Sequence, residues 1–262
     1  MRENRDHPMN KRLHLRLLMG FVLLGLCSGC NRPDAPWCLM SAGEWVEDTL
    51  IWEPSSNFAL VVENHLEVEC SIGDSNQVQL IWSGPANLVA HASALRSGNE
   101  LVLSHEDRCQ WTRDLSHIVR AKVSAPAFDA VHLNGQGSFN LVQNDLTQNL
   151  EVDAQDYAGT IDLHLTADSA TVKLHNGAAQ ATVTGNVQTL LGYSSGLSSL
   201  DASECASGQA FIHQSGVSDL RFKALEYAYV RIDAPGDALG GPQPPLNWQL
   251  NRTGSGELRW QH

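Results

Sequence analysis

Six aspartates in the second half of the sequence could serve acid–base chemistry: Asp153, Asp162, Asp168, Asp201, Asp219 and Asp233. Enzymes that cleave polysaccharides need such groups to converge in one groove at hydrogen-bonding distance from the substrate. The six do not recur at one place in the repeat described below, so the sequence shows no column of acids. We therefore predict no catalytic residue, and a polysaccharide lyase or hydrolase on the same scaffold is the alternative.

Four histidines on or beside predicted strands could bind a metal if they stacked vertically: His132, His164, His175 and His213. Three of them lie 5, 2 and 3 residues before the nearest repeat glycine, and His164 lies after one. Unequal offsets favour surface polar side chains over a stack. We predict no metal and no cofactor.

Aromatic side chains form a further candidate set, because exposed rings stack on sugars, whereas core or end-cap packing is the alternative. The set comprises Trp82, Trp111, Phe139, Tyr157, Tyr193, Phe211, Tyr227 and Tyr229.

A Gly-x-Gly stands inside "FDAVHLNGQGSFNL", residues 128–141, and could cradle a phosphate. A phosphate loop occurs once, between a strand and a helix, whereas here an alternating strand pattern follows. Similar glycines recur with gaps of 22, 18, 19, 20, 20 and 20 residues: Gly137, Gly159, Gly177, Gly196, Gly216, Gly236 and Gly256. Recurrence predicts structural corner glycines of a repeat rather than a nucleotide site.

A repeat of about 20 residues is enough for one coil of a β-solenoid, in which each strand pairs with its equivalents about 4.8 Å above and below. In the first half, short alternating runs separated by turn residues also indicate strands, and helical patterns are scarce. We predict an all-β fold, a right-handed parallel β-helix. A β-sandwich is the alternative, because strands spaced 8 to 12 residues apart also fit that fold.

The N-terminus reads as an export signal: five basic residues precede the apolar "LLMGFVLLGL" of residues 17–26. Ten apolar residues fall short of the roughly 20 that span a bilayer. "LCSGC" then resembles the bacterial lipobox, with Cys30 as the acylated residue and Cys27 as the weaker candidate. Anchoring by several acyl chains would be stable without a spanning helix.

The net charge and the cysteines limit which partners and which cellular compartment fit this sequence. Residues 1–29 carry five basic and two acidic side chains, so their removal changes the formal charge from −12 to −15. This strong negative charge argues against nucleic acid as a partner, because nucleic acid is itself a polyanion. Export permits disulfides, and buried free thiols are the alternative for the four remaining cysteines: Cys38, Cys70, Cys109 and Cys205.

Several stretches resemble the head GIN-domain family of auto-transporter adhesins and envelope lipoproteins: "HEDRCQWTRDLSHIVRAKV" (105–123), "APAFDAVHLNGQGSFN" (125–140), "LHNGAAQATVTGN" (174–186) and "TGSGELRW". The resemblance implies a β-helix without established catalytic residues.

We therefore expect a signal peptide (1–29), a tether (30–44), an N-terminal β region (45–124) and a repeat region (125–262). The expected function is a non-catalytic binding, adhesion or structural module of the cell envelope, attached to the outer membrane by lipid. A glycan or an envelope or host protein would be the partner.

Overall fold

The computed structural model describes residues 43–53, 58–73, 76–97, 99–106, 118–143 and 149–261. Within these ranges the chain forms fourteen strands and one short helix. In chain order they are β1 (Trp45–Trp52), β2 (Phe58–Ile72), β3 (Val78–Pro85), α1 (Ala86–Val89), β4 (Ala92–Ser97), β5 (Glu100–His105), β6 (Arg120–Ala125), β7 (Phe128–Gln143), β8 (Asn149–His175), β9 (Ala178–Gly196), β10 (Ser199–Gly216), β11 (Leu220–Ile232), β12 (Ala238–Gly240), β13 (Asn247–Arg252) and β14 (Leu258–Trp260).

The long strands stack as successive coils of a solenoid of about six turns. β2, β7, β8, β9, β10 and β11 follow one another in the sheet, and each pairs in parallel with the next. The predicted all-β solenoid is thus confirmed, and parallel pairing between coils excludes the β-sandwich alternative. Paired residues are 20 apart over most of β8 and β9, as the glycine spacing predicts.

The core lies inside the coils because alternate residues of each strand point inward. One inward column, followed through the strand pairs, contains Val68, Phe139, Ile161, Ala181, Leu200, Leu220 and Ala238, all of them buried. Each coil thus covers the apolar side chains of the coil before it, and burial of apolar area is the main stabilising contribution.

The two ends of the solenoid differ from its middle. At the N-terminal end, β3 pairs antiparallel with both β1 and β6, and β2 pairs in parallel with β5 and β6. At the C-terminal end, β13 pairs in parallel with β11, and β14 pairs in parallel with β12. Every residue of β13 is exposed, including the inward-side Trp248 and Leu250.

The repeat glycines lie at one corner of the solenoid, in two neighbouring positions. Gly137 and Gly159 pair with each other between β7 and β8. Gly196 and Gly216 pair at the ends of β9 and β10, and the Gly236 N–H donates to the Gly216 carbonyl. Gly256 packs against Gly236, and Gly177 follows β8 directly.

Asparagine and aspartate take the left-handed conformation at the same corner in coils that lack glycine there. Asn64, Asp156 and Asn176 have φ of 66°, 51° and 55°, and Gly196 in the coil after Asn176 has φ of 65°. Asn and Asp are the non-glycine residues that adopt this conformation most readily. The corner therefore requires a left-handed backbone conformation, which glycine, asparagine and aspartate each supply in different coils.

Candidate binding site

A groove of about 520 Å³ crosses the outer face of four consecutive coils, from β8 to β11. We call it the ring groove. Its lining comprises Thr171, Lys173, His175, Leu191, Gly192, Tyr193, Phe211, Ile212, His213, Tyr229 and Arg231.

Two ladders of outward-facing residues form most of this surface. One ladder contains Lys173, Tyr193, His213 and Arg231, and the other contains Thr171, Leu191, Phe211 and Tyr229. Alternation along each strand explains them, because the intervening Val172, Ile212 and Val230 are buried. Successive rungs are about 4.8 Å apart.

Ring contacts order the first ladder. Tyr193 lies between two imidazoles, with centroid distances of 4.8 Å to His175 and 5.1 Å to His213. In the second ladder, Phe211 lies 5.9 Å from the Tyr227 ring and is 37% exposed. The groove therefore presents aromatic surface that is held in place but open to solvent, as stacking on a ligand requires.

Two carboxylates that do not line the groove form ion pairs with its lysine and its arginine. Lys173 Nζ lies 2.5 Å from Glu151 Oε1, and Arg231 Nη2 lies 2.8 Å from Asp233 Oδ2. Hydrogen bonds from Arg231, Thr253 and His213 hold the pKa of Asp233 well below its usual range, and the same carboxylate raises the pKa of Arg231. Asp233 thus stays ionised and orients two groove side chains at once.

Three of the other predicted acids, Asp153, Asp201 and Asp219, contact neighbouring residues of the solenoid. Asp153 Oδ1 lies 3.5 Å from His175 Nε2, and Asp201 Oδ1 accepts hydrogen bonds from the amide and hydroxyl of Ser203. Asp219 Oδ1 accepts from the Asp237 amide at 3.1 Å. Asp162 and Asp168 are exposed on the outer face of β8. The ring groove has no carboxylate in its lining.

Histidines and aromatic residues divide between groove, surface and core. His175 and His213 line the groove, while His164 Nδ1 is hydrogen-bonded to Thr184 at 2.9 Å and His132 lies next to Asp153 in the adjoining strand. Trp82, Phe139 and Tyr157 are buried core residues. In the part of the chain that the structure describes, no cluster of three or more His, Cys, Asp or Glu could hold a metal ion.

Residues 192–196, Gly-Tyr-Ser-Ser-Gly, fit the GxSxG pattern of hydrolase nucleophiles and adjoin the groove. In those enzymes the serine stands exposed on a sharp turn between a strand and a helix. Here the motif lies within β9, which leads into β10. Ser194 is fully buried, and its hydroxyl donates to the Ser198 carbonyl at 2.8 Å. The motif is therefore the buried end of a strand and not a nucleophile site.

Cys70 and Cys205 are buried free thiols and do not pair with each other. Burial raises the pKa of Cys70, and it raises the pKa of Cys205 from 9.0 to about 11. Both thiols therefore stay protonated and unreactive in the folded chain at neutral pH. Cys27, Cys30, Cys38, Cys109 and Trp111 lie outside the described residues.

The described residues include no helix that is long and apolar enough to span a membrane. α1, with its four residues, is a single turn beside β3.

Solved structures share this fold. A putative adhesin from Bacteroides fragilis is 16% identical, with a TM-score of 0.67 over 82% of this chain and 97% of its own. A putative adhesin from Parabacteroides distasonis is 11% identical, with a TM-score of 0.58 over 84% and 98% of the two chains. A putative lipid binding protein from the same species is 14% identical, with a TM-score of 0.55 over 82% and 97%.

No curated protein sequence matches the chain. Residues 58–240 match the family described as "putative auto-transporter adhesin, head GIN domain". The match spans strands β2 to β12 and therefore all the coils that form the ring groove. The chain belongs to this family of adhesin head domains.

Proposed function

We propose that this protein is a non-catalytic adhesion module of the cell envelope, held there by a lipid on Cys30, that binds an extended glycan in the ring groove. The observation that carries the proposal is the groove itself: it has half-exposed Tyr or Phe rings on three of its four coils and no carboxylate in the lining. Aromatic rings stack on the apolar faces of sugars, and weak contacts on successive coils add up along a polymer.

The family and the named structural relatives support an adhesin role. Enzymatic cleavage would need an acid and a base within hydrogen-bonding reach of one bond. Asp153, Asp201 and Asp233 instead contact neighbouring side chains or backbone of the solenoid. These contacts favour binding without turnover.

The test is to incubate the purified full chain with envelope and host-type polysaccharides and to follow both retention and new reducing or unsaturated ends. We expect retention without new ends. The double variant Tyr193→Ala, Phe211→Ala should lower retention at least tenfold. Trp248→Ala is the matched control, because Trp248 is an exposed ring outside the groove.

New ends that disappear when Asp153, Asp201 or Asp219 is replaced would contradict the proposal and establish an enzyme. Retention by an envelope or host protein instead of any polysaccharide, with the same loss in the ring variant, would keep the groove as the site and replace the glycan as its ligand.

A further inference from the structure

We infer that the polymer bound in the ring groove is an acidic polysaccharide, whose sugar carboxylates are recognised by Lys173 and Arg231. The inference rests on the proposed function, since it names the ligand class of the same site. The first reason is the positive charge of the residues that line the groove. The chain has 29 acidic and 17 basic residues, yet the groove contains one lysine, one arginine, two histidines and no acidic residue.

A second groove on the molecule has an acidic residue in its lining, so the absence of acidic residues is not common to all grooves of this protein. It has a volume of about 480 Å³ and lies between β2, β3, β6 and β7. Its lining includes Glu69, and its lysine, Lys122, pairs with that glutamate at 3.2 Å. In the ring groove, by contrast, Lys173 and Arg231 belong to the lining, whereas their partner carboxylates Glu151 and Asp233 do not.

Both cations keep donors for a ligand. Lys173 has three N–H donors and, among the residues that the structure describes, one carboxylate partner, Glu151. The Arg231 guanidinium has five donors and contacts Asp233 through Nη2. Their side chains are 39% and 49% exposed. An arginine already oriented by Asp233 loses little further freedom when its remaining N–H groups bind a second carboxylate.

The position of the cations fits a chain rather than a single sugar. Lys173 and Arg231 are the two ends of one ladder, with Tyr193 and His213 between them. Three rungs of about 4.8 Å separate them by roughly 14 Å. Carboxylates on different sugars of one polymer can therefore reach the two ends while the sugars between them stack on the rings.

Rings and cations together also suit single-stranded nucleic acid. That ligand carries a charge on every nucleotide and is bound by grooves that track its backbone with many cations. Here two permanent cations, each already paired, stand on a chain with a formal charge of −12. The balance favours a polymer with fewer charges and more apolar ring surface, which is the acidic polysaccharide.

The test compares hyaluronate, which carries a carboxylate on every second sugar, with the same polymer after reduction of its carboxyl groups to alcohols, by calorimetry with the full chain at low and high salt. We expect the acidic form to bind at least tenfold more tightly than the reduced form, with a preference that shrinks as salt is added. Lys173→Gln and Arg231→Gln should each remove most of this preference.

Arg221→Gln is the matched control. Arg221 is half-exposed on the same strand, β11, and pairs with Asp201 at 3.6 Å, but it does not line the groove. It should change the affinity less than twofold. Tyr193→Ala should weaken binding of both polymer forms, because stacking does not depend on the carboxylate.

Equal affinity for the two forms, or equal effects of Arg231→Gln and Arg221→Gln, would overturn the acidic-sugar inference while leaving glycan binding in place. Tighter binding of oligo(dT) than of hyaluronate, lost in the same variants, would replace the polysaccharide with nucleic acid. If the wild-type chain binds none of the polymers tested, both the proposed function and this inference are wrong.

Discussion

The corner of the solenoid shows what single residues contribute. Gly159 has φ of +155°, and a Cβ there would press on the carbonyl oxygen of Gly137 in the coil below and lie 3.0 Å from its nitrogen. A backbone cannot yield as a flexible side chain can. Neighbouring coils therefore approach each other at Gly159 more closely than any other residue type permits.

We predict that Gly159→Ala lowers the free energy of unfolding by about 1–3 kcal/mol, through backbone strain and displaced coil pairing. Thermal and urea unfolding measure the change. Gly241→Ala is the control, because the nearest atom to its added Cβ is Lys223 Cγ, at 3.2 Å on a flexible side chain. Equal losses for the two variants would show that close coil contact at Gly159 is not the cause.

The sequence reveals this corner in part. Glycine is conspicuous, so the period of about 20 residues can be read from Gly137 onward. Asn64 and Asp156 are not conspicuous, because asparagine and aspartate occur in turns, on surfaces and at caps alike. Their role becomes visible only when the coils are stacked and their φ angles of 66° and 51° are known.

At the scale of the strands, register determines which side chains meet in the ring groove. Lys173 pairs with Tyr193 and Tyr193 with His213, both 20 residues apart, but His213 pairs with Arg231, 18 residues on. Register shifts in β10, between Ala202 and Ala206 and between Ser207 and Gln209, cause the difference. A strict 20-residue repeat would put Asp233 there, so the sequence alone predicts the aromatic candidates but not the groove.

The turn between β9 and β10 is fastened to the preceding coil by buried hydroxyls. Ser195 Oγ donates to the Leu174 carbonyl at 3.2 Å and accepts from the Asn176 amide at 3.1 Å. Ser198 Oγ accepts from the Ala179 amide at 3.2 Å. These bonds satisfy backbone groups at the corner, where the regular pairing of β8 with β9 is interrupted.

We predict that Ser195→Ala costs about 1–3 kcal/mol of stability, because a buried carbonyl and a partly buried amide lose their partner. Denaturant unfolding measures the loss, and hydrogen exchange at the Asn176 amide should accelerate. Ser169→Ala is the control, since Ser169 lies half-exposed on the outer face of β8. An unchanged exchange rate at Asn176 would contradict the assigned hydrogen bond.

At the scale of the whole molecule, the ring groove is remote from the N-terminal end. The groove begins on β8, which follows β2 and β7 in the sheet, and continues to β11, whereas residues 43 and 44 lead into β1 at the opposite end. Each coil adds about 4.8 Å. An anchor that precedes residue 43 would therefore hold the N-terminal end near a membrane and present the groove away from it, as an adhesin head requires.

We predict that Cys30→Ser moves the full chain from the membrane fraction to the soluble fraction, because the acyl chains proposed on Cys30 would supply the anchoring free energy at about 0.8 kcal/mol per buried CH₂. Detergent phase partition and mass spectrometry of the N-terminal peptide measure the change. Cys27→Ser is the matched control and should remain anchored. Glycan binding by the released Cys30→Ser protein should equal that of the detergent-solubilised wild type, because the groove lies on the coils and not on the anchor. Release by Cys27→Ser alone would assign the lipid to Cys27, and membrane retention of both single variants would exclude a lipid anchor at Cys30.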